Sequence, residues 1–244
     1  RSLADLPVDY DLIAPEELTA ILDAGRSFTQ MEAANIENRL KEIRDGHGSG
    51  FSARGLSVQK QPMSFGSPMP VSAKGGEVKK DIYASSVENP WGVFIAGSAE
   101  SMDIGNDGNA SGFDMNTGGI TLGIDYRPNE HMAFGLFEQY TNSDVDLTND
   151  GSIDMDGMKF GLYGTVPNDA GFYMNGLVAT GASDYKTRRL ALGGYAHGDT
   201  DGWDLDAMIS GGYTRKAGAL TFGPVASLLY SRQQIDKLRV AEPL

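Results

Sequence analysis

Asp146-Leu147-Thr148-Asn149-Asp150-Gly151-Ser152-Ile153-Asp154 opens like a calcium-binding loop, with oxygen-bearing side chains at its first, third and fifth positions and Gly at the sixth. A hard cation held this way needs a bidentate carboxylate at the twelfth position, where Gly157 stands. The expected role of the segment is therefore a polar surface loop with Asn-Asp-Gly turn chemistry. The three histidines, His47, His131 and His197, each fall in or beside a turn. No G-x-S-x-G elbow, H-E-x-x-H pair or glycine-rich phosphate loop is present. With no cysteine there is no thiolate nucleophile, disulfide or cysteine metal site. These residues predict no enzyme: catalytic residues none, metal ligands none, cofactors none. The formal net charge of −13 excludes nucleic acid as a partner, since phosphate binding needs clustered Lys and Arg.

The elements around these residues point elsewhere. From Trp91 to about Arg239 apolar and polar residues alternate with the period of a strand. Ile120, Leu122, Ile124 and Tyr126 share one face; Thr121, Gly123 and Asp125 share the other. The same pattern recurs through Met158–Val166, Trp203–Tyr213 and Leu220–Tyr230, giving about seven strands of roughly ten residues or more. Arg127–Glu130, Pro167–Ala170 and Lys216–Ala219 read as tight turns. Between them, Asp103–Asn116, Asn142–Gly157 and Ala182–Gly202 read as long polar loops. Strict alternation of short and long connections, with aromatic residues near strand ends (Trp91, Tyr126, Tyr140, Trp203, Tyr213, Tyr230), is the pattern of an outer-membrane barrel. No run of about 18 apolar residues supplies a transmembrane helix.

Residues 1–46 hold a helix over about 15–45, as one piece or two broken near Gly25. Pro15 sits at its first position, Leu18, Ile21, Leu22, Phe28, Ile36, Leu40 and Ile43 recur at helical spacing, and Gly46 stops it. Residues 47–89, rich in Gly, Ser and Pro, read as a linker or loosely ordered segment. Residues 90–244 are the strands. No apolar leader precedes the helix, so export would require a segment upstream of Arg1.

Pro90-Trp91-Gly92-Val93-Phe94, Gly118–Arg127, Gly151-Ser152-Ile153-Asp154, Lys159–Tyr163 and Leu220–Pro224 resemble the C-terminal translocator domain of autotransporters, the type V secretion systems. The resemblance implies a twelve-stranded, antiparallel, up-and-down transmembrane β-barrel in the outer membrane of a Gram-negative bacterium. It also implies an upstream passenger at the cell surface, joined by a helix through the pore, with periplasmic chaperones and the barrel-assembly machinery as partners besides outer-membrane lipid. About seven of twelve strands are present, so the fold class expected is mainly β, an incomplete barrel preceded by a helix and a linker. About five more strands are expected beyond Leu244. The alternatives are a porin or adhesin barrel that exports nothing, and a soluble secreted β-protein that binds through its loops.

Glu32–Asp45 is similar to the pore helix of serine-protease autotransporters, which cleave themselves at an Asn-Asn pair. Ala34 stands at the first position of that pair and only Asn35 matches. Alanine has no amide with which to attack, so no self-cleavage is expected at this helix. The apolar positions of the helix fit poorly with a polar lumen. Lys159, Asp125, Asp204 and Asp206 face inward, where pairing across the lumen is the alternative to the expected solvation in a water-filled pore. Glu138 falls on the face of Phe134, Leu136 and Tyr140, where a carboxylate is costly unless it lies near the interface or a bulge turns it away.

Overall fold

The structure, a computed structural model, describes residues 15–63, 82–84, 89–105, 112–147, 151–191, 194–217, 220–236 and 239–241. In chain order these form α1 (Pro15–Arg44), β1 (Gly50–Met63), β2 (Ile82–Ala84), β3 (Trp91–Ile104), β4 (Phe113–Asn129), β5 (Met132–Leu147), β6 (Ser152–Pro167), β7 (Phe172–Ala191), β8 (Gly194–Tyr213), β9 (Arg215–Ala217), β10 (Leu220–Phe222), β11 (Val225–Ile235) and β12 (Arg239–Ala241).

β3 through β8 and then β11 pair antiparallel, each with the next in the chain, as an up-and-down sheet. β12 continues the pairing along β8, and β9 and β10 form a small hairpin beyond the end of β8. The sheet is open: β11 lies at one edge and β1 with β2 at the other. The turns predicted between β4 and β5 and between β6 and β7 are tight. Asn129 Oδ1 accepts the His131 amide at 2.9 Å, and Asn168 Oδ1 accepts the Phe172 amide at 2.9 Å. Gly171 takes φ +91°, a backbone angle that needs glycine, and its carbonyl accepts the Thr214 amide of the next connection.

The stretch read as a linker is corrected in part. Gly50–Met63 is a strand that lies parallel to β3, pairing Gly50 with Gly92 and Met63 with Ile104. Phe51, Leu56 and Val58 are scattered among its small and polar residues without the sustained alternation of the later strands. The edge of β3 supplies its backbone partners.

The long loops are also shorter than expected, because the strands run on through them. Beyond Tyr140 and Trp203 the alternation persists with its sense reversed. Near the turn end, Phe134, Leu136, Phe160, Leu162, Val178 and Ile209 face outward. Near the loop end, Met102, Met115, Val145, Ile153, Met155 and Tyr185 face inward and are buried, while the residues between them are aspartates. Asp114 pairs with Asp103 and Asp146, Asp144 with Asp154, and Asp184 with Asp156 and Asp201, all on the outer face. Like charges directly opposite each other repel, and this face therefore belongs in water. The sheet thus carries an apolar belt outside at the turn end and a mainly acidic collar outside at the loop end, with Lys186 and Arg188 of β7 exposed among the aspartates. Aromatic residues mark the limits of the belt. Trp91 stacks on Tyr126 at 4.7 Å and Phe172 on Tyr213 at 4.8 Å near the turns. Tyr140 and Trp203 stand where the collar begins. Glu138 lies in unbroken register between Leu122 and Phe160, so no bulge turns it aside. It sits two residues from Tyr140, about 7 Å along the strand, and so lies close to the upper limit of the belt.

On the concave face, rings cover glycines of the neighbouring strand. Phe94 lies over its partner Gly123, Phe137 over Gly161 and Tyr163 over Gly135; a Cβ at any of these glycines would come within 2.5 Å of the ring. Without side chains, these positions let the sheet curl tightly around what lies inside it.

Candidate functional site

What lies inside is α1. It is a single helix of 30 residues, about 45 Å long, and it touches β1, β3 to β8 and β11. Gly25 does not break it. A Cβ there would meet the Gln233 side chain of β11 at 2.5 Å, so the glycine admits close approach of the wall. The helix ends as predicted at Gly46, where φ is +87°. The Gly46 amide donates to the Ile43 carbonyl at 3.1 Å and the His47 amide to the Glu42 carbonyl at 2.9 Å, the paired bonds of a Schellman motif.

Three storeys of contact run along α1. At the loop end Ala20, Ile21, Ala24 and Phe28 are buried among Met102, Ile104, Phe113, Met115, Val145, Leu147, Ile153, Met155 and Tyr185. These wall residues are the inward faces of the collar strands. Reversal of the alternation thereby resolves the apolar helix positions that a polar lumen would reject.

The middle storey is polar and closed to water. Lys159, 1% exposed, pairs with Asp206, with Asp204 at 3.2 Å and with Glu32 of the helix at 4.0 Å. Thr29 donates to Asp206 at 3.1 Å and lies 3.3 Å from the Lys159 ammonium. Three carboxylates thus share one cation, and both Glu32 oxygens are buried without a hydrogen-bond donor. Ser27 donates to Glu100, and Gln139 donates to the Phe28 carbonyl at 3.3 Å. Asn35 donates to Thr121 at 2.8 Å and accepts from Ser98 at 2.9 Å. Both ends of its amide are therefore engaged by the wall, away from its own backbone carbonyl, and Ala34 beside it has nothing with which to attack.

At the turn end Ile36, Leu40 and Ile43 pack with Phe94, Phe137, Tyr163, Leu177 and Met208. Arg39, 1% exposed, is held by Asp125 on two atoms, Nε to Oδ2 at 2.7 Å and Nη2 to Oδ1 at 3.2 Å. Its other donors reach Glu42, Ser52 and the Gly48 carbonyl, and Tyr163 donates to Asp125 at 2.9 Å. Arg54 of β1 reaches Glu42 at 2.9 Å, so the start of β1 is tied to the same cluster. Asn175 donates to Glu37 at 2.9 Å, and the Arg44 guanidinium lies 3.9 Å from the Tyr173 ring centre.

The expectation of solvation for Lys159, Asp125, Asp204 and Asp206 is therefore corrected. All four are buried in ion pairs because α1 and the wall displace water from them. The helix partners Arg39 and Glu32 carry one signal in the sequence: both charges lie on the face of Ile36 and Leu40. Among the described residues no group of three or more His, Asp or Glu has the geometry of a metal site. Asp146 lies on β5 and Ser152–Gly157 on β6, so the calcium-like segment belongs to a hairpin, and 148–150 fall outside the described residues.

An open antiparallel sheet with an apolar outer belt, wrapped on a helix that enters at one end and leaves at the other, has a counterpart in one protein family. The family described as autotransporter beta-domain matches residues 93–242. The chain belongs to that family. The strand order is thus that of an autotransporter β-domain, a family of the Gram-negative outer membrane. Among solved structures the β-domain of the Bordetella autotransporter BrkA is similar, with 20% identity and a TM-score of 0.54, over 64% of this chain and 63% of that one. The translocator domain of the autotransporter NalP from Neisseria meningitidis is similar at 16% identity and a TM-score of 0.42, over 53% of this chain and 51% of that one. The chain therefore spans less than two thirds of the BrkA β-domain. No curated protein matches the chain.

Proposed function

We propose that this autotransporter β-domain supports export of a passenger encoded upstream of α1 and anchors it at the cell surface, with the tight turns in the periplasm and the collar outside. The observation that carries this reading is the seating of α1. Its first half faces the loop end and its last turn the turn end, so a chain entering from outside reaches β3 from the periplasmic side. Residues 1–46 then act as the end of the passenger and its linking helix, 47–89 as a connecting segment with its own edge strand, and 90–244 as the first part of the barrel. Insertion of such strands calls on periplasmic chaperones and the barrel-assembly machinery, since an unpaired edge in lipid is costly. A porin reading needs an open lumen, and three storeys of buried contacts count against it.

Surface labelling of the full-length protein tests the proposal. An epitope placed before residue 1 should be accessible to antibody and protease on intact cells, and one placed in the Pro167–Gly171 turn should become accessible only after the outer membrane is broken. Both epitopes accessible, or both hidden, would refute it.

A further inference from the structure

Gly164 of β6 and Gly176 of β7 are direct cross-strand partners within the apolar belt. Their outward positions therefore leave two adjacent gaps in the lipid-facing wall. Phe134, Leu162, Val166, Met174 and Val178 stand around them, and together they bound an outer hollow of about 610 Å³. No ring of this chain covers these two glycines, unlike Gly123, Gly135 and Gly161; a Cβ at Gly164 would lie 3.0 Å from the Ala133 carbonyl. A Cβ at Gly176 would meet no atom within 4 Å. Packing within the chain does not call for a glycine there, and the space beyond it is free for something else.

The hollow ends at Met132, next in the chain to the turn-end rim. On that rim His131 Nε2 meets Asp169 Oδ1 at 2.8 Å, with the Asp169 side chain 95% exposed, and Glu130 is exposed beside them. An apolar hollow facing hydrocarbon holds neither water nor vacuum at low cost, because its lining would lose its contacts. At this depth the bilayer supplies acyl chains. The rim adds two carboxylates, which complement an ammonium. We propose that the hollow seats an acyl chain of an ammonium-bearing phospholipid from the periplasmic leaflet, with its headgroup at Glu130, His131 and Asp169. The site rests on the orientation argued above, since the turn end must be periplasmic.

The test uses the full-length protein, purified from outer membranes in mild detergent, with retained lipid measured by mass spectrometry after extensive washing. Wild type should retain phosphatidylethanolamine in stoichiometric amount. Gly176→Leu, whose Cβ meets no atom within 4 Å, should lose it while membrane fractionation and heat-modifiable migration stay as in wild type. The double substitution Glu130→Gln and Asp169→Asn should abolish the preference for phosphatidylethanolamine over phosphatidylglycerol when delipidated protein is offered both in mixed micelles. Retention by Gly176→Leu equal to wild type, no retained lipid in wild type, or an unchanged preference in the double variant would overturn the site. A dimer in wild type that Gly176→Leu dissociates would overturn it as well, since a second copy would then cover the hollow. Failure of the barrel reading would show separately, as protein in the soluble fraction without heat-modifiable migration.

Discussion

Replacing Lys159 with Met keeps the volume of the side chain and removes the cation shared by Glu32, Asp204 and Asp206. Two of these carboxylates belong to the wall and one to the helix, so the substitution acts on two quantities. For the wall, loss of one partner of a buried ion pair costs about 3–5 kcal/mol. For the helix, the Lys159–Glu32 separation of 4.0 Å corresponds to about 4 kcal/mol at an effective dielectric constant near 20. That is roughly three decades in the ratio of seated to displaced helix, as an upper bound on the coupling. Glu32 is also repelled by Asp204 and Asp206 and has no hydrogen-bond donor. Glu32→Gln should therefore leave the helix seated as firmly as before or more so, whereas Lys159→Met should release it. Conductance of the reconstituted full-length protein in planar bilayers reads the difference, together with tryptic cleavage after Arg39 and Lys41, which the seated helix protects. Expected are an open pore and rapid cleavage for Lys159→Met, and a closed pore for Glu32→Gln and for the double variant. If Lys159→Met stays closed and protected, or if Glu32→Gln opens the pore as widely, the reasoning fails.

Four further outcomes follow from other parts of the structure. Asp125→Ala strips Arg39 of its two-point partner and leaves a buried guanidinium short of charge, so the folded form should lose about 3–5 kcal/mol in urea titrations of the reconstituted protein. Phe28→Ala opens a cavity in the loop-end storey and should cost about 3–5 kcal/mol by the same measurement, with protease sensitivity confined to the first half of α1. Gly123→Val places a Cβ within 2.1 Å of the Phe94 ring; about 1–3 kcal/mol of overpacking should appear as a lowered heat-modification temperature. Leu162→Lys in the belt should cost about 2–4 kcal/mol, and Asp154→Lys in the collar close to none, when both are measured by folding into lipid vesicles.

Legibility of the fold divides along physical lines. Strands whose outward residues are apolar, such as Ile120–Tyr126, were readable because period-two alternation has few other causes. Tight turns were readable from Pro-Asn and Asn-Asp pairs, and the helix from Pro15 and Gly46. The collar was not readable as strand. Asp144-Val145-Asp146-Leu147 alternates as cleanly as the belt, but the five polar or acidic residues among 141–147 resemble a loop until the apolar ones are known to have a partner inside. That partner is the first half of α1, more than a hundred residues away in sequence. The ion pairs were hidden for the same reason. Lys159, Asp204 and Asp206 were placed on the inward face correctly, and only the packing of α1 decides that they meet each other and Glu32 instead of water. β1 was invisible because its pairing comes from the open edge of β3 and from Arg54 and Ser52 reaching Glu42, none of which leaves a pattern in its own residues.

The reversal of facing at Tyr140 and Trp203 has a mechanical consequence. Each strand is written for two solvents in succession, and the boundary between them is drawn around the wall by neighbouring strands in register. A shift of the barrel outward by one pair of residues would lift leucines and phenylalanines into water; a shift inward would push aspartates into hydrocarbon. Both directions are uphill, so the protein carries its own ruler for depth. Under the proposed export role, the exit of the lumen is then held at a constant height above the lipid.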